Sequence, residues 1–462
     1  MNQVLMSTDE VLALSPDASS TKAAQGLVKP AKWSSTGCNE QAVWGMCQGS
    51  GSSAYQTQVD LSGPTFKCSC PSRKFPCKHG LALLLMRASA QVTHTDEAPP
   101  QWVLEWLSAR QQRSEKKAVT QATKAAKAAD PKAQAKREAN RWDKAQIGLQ
   151  ELHLWLQDTL DQGLASLVNN GMWQAQTFKT AARMVDAQMP ALKMRLEEVL
   201  ETIKDGGAHW PEKALIQLAQ LHSVWEAAQR WHENQLDDNL KQKWGQFVGW
   251  SVDKAEVLAQ GETVEDAWMV VGCRHIERHN LTERHVWLQG LNTQRRALLL
   301  DFSYQNRGFE QSYACGQTHH GKLSFYPGTH SMRALLDEHS QLQTQPLLNH
   351  HLPTHTWQHI APTLAHNPWQ HLFPVWLTHA QLHQQQQQWF LVYSDAQQDM
   401  RQVPLLLQSD HKWALLAQLQ ADTVYHWFGE WDHQMFRVLS VWQESDANIL
   451  QLQWVLPKEF LA

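Results

Sequence analysis

Three cysteines and a histidine crowd one short segment, FKCSCPSRKFPCKHG, in the order Cys68-x-Cys70, six intervening residues, then Cys77-x-His79. Three thiolates and an imidazole are a donor set that zinc takes in a closed tetrahedral site, where no position remains for water. The set therefore predicts one structural Zn2+ and not a catalytic one. Residues two apart in an extended segment point the same way, so Cys68 and Cys70 can approach one ion from a single strand edge. Cys77 and His79 form the second convergent pair, and Pro71 and Pro76 restrict the loop between, lowering the entropy lost when the site closes. The competing reading is of reduced thiols beside an unrelated histidine.

Something must hold these donors in place. Gly80 and the strong helix formers of LALLLMRA follow directly, so a helix should begin at the site and pack over a preceding β-hairpin, a small ββα-like zinc module. A chain of 462 residues exceeds what one core usually serves, which predicts several domains. Residues 1–30 show no sustained period and read as a loosely ordered lead-in. The zinc module occupies 31–109. Residues 110–141 carry ten Lys or Arg against three acids and read as an exposed basic Ala/Lys-rich linker, broken at Asp130-Pro131.

From 142 to 260 the apolar period is helical: Leu149, Leu152, Leu156, Leu160, Leu164 and Leu167 recur at spacings of three and four, as one amphipathic helix. Asn169-Asn170-Gly171 reads as a stop, a second helical stretch runs to Asp205-Gly206-Gly207, and Pro211 suits the first turn of a third helix. A bundle of about four helices is expected. Residues 261–462 change to short runs rich in Val, Leu, Phe, Tyr and Trp, such as AWMVVG, HVWLQGL, RALLLDFSY and WFLVYS, which read as strands. Leu298, Leu300 and Phe302 should share one strand face, while 330–388 gives neither period cleanly. The fold class expected is α+β and multidomain, with a helical bundle and a β-rich C-terminal domain.

Seven cysteines, an odd and sparse number, argue against a secreted disulfide framework and for thiols free to bind metal. No apolar run approaches the length of a membrane span and MNQVLMSTDE lacks a secretory leader, so a cytoplasmic protein is expected. Net charge of -4 argues against a general nucleic-acid coat. Cys38 and Cys47 read as free or buried thiols, since the four downstream donors already close a tetrahedron. Cys273, His275, His279 and His285 fall across a turn and need not converge, and His319-His320 and His350-His351 read as scattered histidines. The Gly49 and Gly51 loop reads as a structural turn, and without a phosphate loop, dinucleotide turn, nucleophile elbow or metalloprotease helix the expectation is a binding protein, not an enzyme.

The Cys-x-Cys, loop, Cys-x-His order resembles the SWIM-type zinc finger. With the flanks Trp44-Gly45, Cys47-Gln48-Gly49-Ser50-Gly51 and VDLSGPTFKCSCPSRKFPCKHGLALLL, the chain is similar to the bacterial SWIM zinc finger family. DAWMVVG, RHVWLQGL, ALLLDF and SFYPG are similar to stretches of its longer members, whereas the His-rich and Gln-rich segment after His330 departs from them. The resemblance implies a DNA-binding or protein-binding module. It also implies protein partners drawn from MoxR-type AAA+ ATPases and von Willebrand A-domain proteins. DNA or RNA contact would use Arg73, Lys74 and Lys78 beside the zinc, helped by the basic linker; no membrane partner is expected.

Overall fold

The residues before the cysteines build a four-stranded antiparallel meander, β1 (Trp33–Cys38), β2 (Ala42–Cys47), β3 (Tyr55–Asp60) and β4 (Thr65–Cys68), in that order across the sheet. The computed structural model describes residues 6, 8–15, 18–49, 53–61, 64–72, 74–112, 131–207, 209–278, 281–304, 309, 311–336, 341–343, 346–353, 356–386, 388–395, 398–407, 413, 415–420, 423–445 and 448–456. Helices α1 (Thr8–Ala13), α2 (Ala18–Gln25) and α3 (Lys78–Ala88) share a core with one face of this sheet. Every residue of α3 from His79 to Met86 is buried, because the helix lies between the sheet and α1 and α2.

One expectation for this region is corrected. Residues 1–30 are not a loose lead-in where described, since α1 and α2 bury Val11, Leu14 and Ala24 against α3. Helices this short offer too few apolar positions for a period to be legible. The expected ββα unit is present as β3, β4 and α3, within a larger module. Residues 101–112 are helical and cover the opposite sheet face, where Val103 and Leu107 meet Ala42 and Trp44.

The bundle consists of Pro131–Gln162, Gly171–Asp186, Pro190–Asp205 and Trp210–His232. Pro131 opens the first helix at a position where its missing N–H is not needed, so the basic stretch 131–141 belongs to the bundle. Residues 113–130 lie outside the described residues. Leu149, Leu152, Leu156 and Leu167 face the core, but Leu160 is exposed; Thr159 takes the inward place and accepts a hydrogen bond from Trp173 Nε1 at 3.0 Å. The single leucine helix is interrupted at Gly163, whose φ is 76°. Asn170 starts the next helix, accepting from Trp173 N at 3.0 Å. The second stretch is two helices because Pro190 begins a new one.

After the bundle, the short helix Asp238–Val248 stops at Gly249, with φ 99°. A Cβ at this position would lie 2.9 Å from the backbone nitrogen of Ala191. Gly249→Ala therefore combines left-handed strain with a backbone clash, and should cost about 1–3 kcal/mol in chemical denaturation followed by tryptophan fluorescence. An unchanged midpoint would show that the two helices can part without penalty.

The remaining chain forms two mixed-length antiparallel sheets. The first contains β5 (Thr263–Arg278), β6 (Leu281–Gly290), β7 (Arg296–Tyr304), β8 (Thr318–Phe325), β9 (Ala334–Leu336) and β10 (Gln341–Gln343), ordered β10-β8-β5-β6-β7 with β9 beside β8. The second contains β11 (Leu347–Leu348), β12 (Phe373–Gln385), β13 (Gln388–Ser394), β14 (Met400–Pro404), β15 (Tyr425–Trp431), β16 (Phe436–Glu444) and β17 (Ile449–Val455), ordered β11-β17-β16-β15-β12-β13-β14. Met269, Val271 and Trp287 from the first sheet pack on Trp376, Phe428 and Trp442 from the second. The other face of β5 and β6 is also buried, through Trp268, Val270, Val286 and Leu288, which is why AWMVV does not alternate.

Leu298, Leu300 and Phe302 do share a face of β7, but only Leu298 packs into the inter-sheet core, while Phe302 is exposed. Cores also cross the expected domain boundaries. Trp369 joins the bundle core and donates to Ser223 Oγ at 3.0 Å, and Ala314 joins the core under α3. Among the described residues no helix is long and apolar enough to cross a membrane.

Candidate metal centre

Cys68 ends β4, Cys70 follows in the loop, Cys77 is the N-cap of α3 and His79 lies in its first turn. A strand end and a helix start thus supply one pair each, and the donor atoms all lie within 4.8 Å of one another. Close approach of the two elements depends on Gly80, since a Cβ there would lie 2.8 Å from Phe66 Cδ1. Phe66 in turn meets Phe75 edge to face at 6.0 Å, closing the loop side.

Cys68 Sγ lies 3.7 Å from His79 Nδ1. A tetrahedral zinc with bonds near 2.3 Å to sulfur and 2.0 Å to nitrogen needs about 3.5 Å between those atoms, so the pair is spaced for one ion. Gly80 N donates to Cys77 Sγ at 3.4 Å and Thr57 Oγ1 lies 3.2 Å from Cys68 Sγ, contacts that steady the thiolates around an ion. Tyr55 covers the imidazole of His79 at 5.0 Å between ring centroids.

Without a cation the donors compete for protons. Hydrogen bonds from Cys68 and Cys77 lower the Cys70 pKa, whereas hydrogen bonds to Cys68 and Cys70, with burial, raise that of Cys77. Burial alone would lower the His79 pKa, but its hydrogen bonds to Cys68 and Cys70 outweigh that and raise it to about 9. A divalent ion replaces those shared protons and balances the thiolate charge, so the residues fit zinc. When bound, zinc supplies cross-linking here and no open coordination position.

The remaining sequence candidates separate cleanly. Cys38 and Cys47 are buried thiols outside the donor group, and burial, with Cys68 nearby, raises Cys47 to about 11. Lys74 and Lys78, in the loop and helix start that carry Cys77 and His79, are exposed, with Lys74 Nζ 3.1 Å from Ser19 Oγ; Arg73 lies outside the described residues. Cys273, His275 and His285 sit on β5 and β6 without forming a donor cluster, and His279 is outside the described residues. His285 instead joins a buried ion network: its Nδ1 lies 3.5 Å from Glu430 and its Nε2 2.7 Å from Glu283. His319 is buried beside Tyr313, and His350 and His351 meet edge to face at 4.3 Å, with Leu348 N donating to His351 Nδ1 at 3.0 Å.

Sequence reasoning missed a second donor group, His379, His426 and Glu444, gathered from three strands of the second sheet. No local spacing signals it, because the residues are far apart in sequence.

Two family matches agree with the architecture. Residues 55–88 match the SWIM zinc finger, which includes all four donors. Residues 140–247 match the SWIM-associated four-helix bundle domain, a span that takes in most of the bundle described above and the helix Asp238–Val248. No curated protein matches the chain. A finger with its complete Cys3His set, followed by the bundle that accompanies such fingers, makes this chain a SWIM-type zinc finger protein.

Proposed function

We propose that the chain is a binding protein and not an enzyme, in which zinc stiffens a surface for contact with other proteins. The observation that carries this reading is a groove of about 400 Å³ beside the finger, between the outer sheet face and the helix at 101–112. Trp102 and Trp106 line it with Gln56, Gln58, Lys67 and Arg110. Lys67 lines the groove while its neighbour Cys68 supplies a zinc ligand, so the metal holds the strand that forms one wall. Amphipathic tryptophans beside an arginine are the side chains that most often anchor protein contacts. Arg110 also sits over the Trp106 ring at 5.6 Å and pairs with Asp60 at 3.1 Å, which holds the rim in shape.

From the family resemblance, the partner class is MoxR-type AAA+ ATPases and von Willebrand A-domain proteins. Purified proteins of both kinds, titrated with the full chain, test it. Binding should weaken at least about tenfold in Trp106→Ala while zinc is retained. Equal binding by the variant would remove the groove from the reading.

The second reading is nucleic-acid binding through Arg73, Lys74 and Lys78 with the basic stretch 110–141, favoured by the exposure of both described lysines beside the donor residues Cys77 and His79. Three phosphate contacts add only about 2–3 to the logarithmic salt slope. The full chain should therefore bind DNA or RNA barely above background at physiological salt, measured by fluorescence anisotropy at two salt concentrations. Submicromolar, sequence-selective binding abolished by Lys74→Ala with Lys78→Ala would make nucleic acid the primary partner.

A further inference from the structure

We propose that His379, His426 and Glu444 form a second metal site, for a divalent transition-metal ion such as Zn2+, separate from the finger. The donors come from adjacent strands, β12, β15 and β16, and all lie within 4.8 Å of one another. Glu444 Oε2 is 3.9 Å from His379 Nε2 and 3.7 Å from His426 Nε2. The two imidazoles meet edge to face with centroids 4.6 Å apart. Bonds of about 2.0–2.1 Å to nitrogen and oxygen place tetrahedral ligands roughly 3.3–3.4 Å apart, so the carboxylate need only close by a few tenths of an ångström.

The backbone is built to bring these groups onto one face. His426 pairs with Trp442 across β15 and β16, and Glu444 follows two residues later on the same side. Trp442 packs in the inter-sheet core, so the cluster sits at the rim of that layer. Strict alternation from Trp376 would send His379 to the opposite face. A bulge between Leu377 and Ala380 reverses the alternation, and both of those residues point into the other core. His379 itself holds φ at 53°, a left-handed conformation for a side-chain-bearing residue within a strand. Bulges and such strained residues concentrate where a side chain is re-aimed for function.

Two imidazoles and one carboxylate are the donor set of open zinc and non-haem iron sites, where remaining positions take water or a ligand. Here the exposed side is that of His379, whose side chain is 61% exposed, while that of His426 is 2% exposed. The buried ring fixes the site and the exposed one closes it. An ordinary His–Glu ion pair is the competing account, and metal titration separates the two.

The full chain, free of any metal-binding tag and already carrying zinc in its finger, is titrated with Zn2+ and in parallel with Co2+. The expected result is two zinc ions per chain after equilibration and one in His379→Ala or Glu444→Gln, with circular dichroism unchanged. Cobalt in the second site should lack the intense thiolate-to-metal charge-transfer absorption of a Cys3His site. A single zinc in the unaltered chain overturns the proposal, as does a second equivalent that persists in the His379→Ala, Glu444→Gln double variant. Failure of the finger itself is read separately, from the zinc the chain retains before titration and its loss in Cys77→Ser.

Discussion

Cys77→Ser should release the zinc and unfold the segment from β3 through α3, while the helical bundle keeps its protection. Serine is itself a good N-cap, so the substitution preserves the start of α3 and removes mainly the metal ligand. Binding free energy of structural zinc in small fingers is about 10–16 kcal/mol, far above the cost of any single cap or packing change. That energy couples to the elements the ion joins, the end of β4 and the first turn of α3. Hydrogen exchange with and without a strong chelator, alongside metal analysis, measures the effect. Protection near Ala314 should fall with the finger, because Ala314 packs in its core, whereas Leu152 and Leu218 lie in the separate bundle core. Zinc retained at full stoichiometry in the finger would place the site elsewhere, and uniform loss of protection across 142–462 would show that the cores are not independent.

The next largest effect is expected at Glu430, a fully buried carboxylate between the two C-terminal sheets. It accepts hydrogen bonds from Arg274 Nη1 at 2.8 Å and Trp287 Nε1 at 2.9 Å, and lies 3.5 Å from His285 Nδ1. Glu430→Gln leaves Arg274 without this counter-ion and His285 with Glu283 alone, and breaking a buried pair in this way costs about 3–5 kcal/mol. Burial alone would raise the Glu430 pKa, but the hydrogen bond from His285 and the charge of Arg274 hold it at about 2. Burial would likewise lower His285, and hydrogen bonds to Glu283 and Glu430 raise it to about 9.

The two shifts set opposite limits on pH. A depressed carboxylate pKa contributes stability above its ordinary value of 4.5 that is lost as pH falls toward 2. A raised histidine pKa contributes stability below 6.5 that is lost as pH rises through about 9. The network is therefore strongest between those ordinary values, and chemical denaturation should show stability declining from pH 6.5 to 9. Glu430→Gln should lower the plateau and flatten that decline. A variant with unchanged slope would mean that His285 is not held charged by this carboxylate.

The finger was readable because its chemistry is local. Cys68, Cys70, Cys77 and His79 fall within one short stretch of chain, and the order of donors carries the geometry with it. Strand runs such as RALLLDFSY, which coincides with β7, were legible for the same reason, because period reports backbone geometry over a few residues; the expected stop at Asn169-Asn170-Gly171 falls at a helix boundary, but there Asn170 caps the start of the next helix. Helix 101–112 and the two N-terminal helices carry too little of a period to declare their burial, and only packing against the sheet makes them part of the finger.

Contacts across long separations belong to the tertiary structure alone. Arg274 reaches Glu430 across 156 residues, and no property of either segment names the other. The His379, His426 and Glu444 group depends on strand order, register and one bulge, and a shift of one residue would send a donor to the opposite face. Sequence by itself determined the zinc ligands, the α+β composition and the place of the bundle, because each is a property of neighbouring residues. Which sheet faces meet, and which distant side chains share a site, was decided only when loop closure and register brought the strands together.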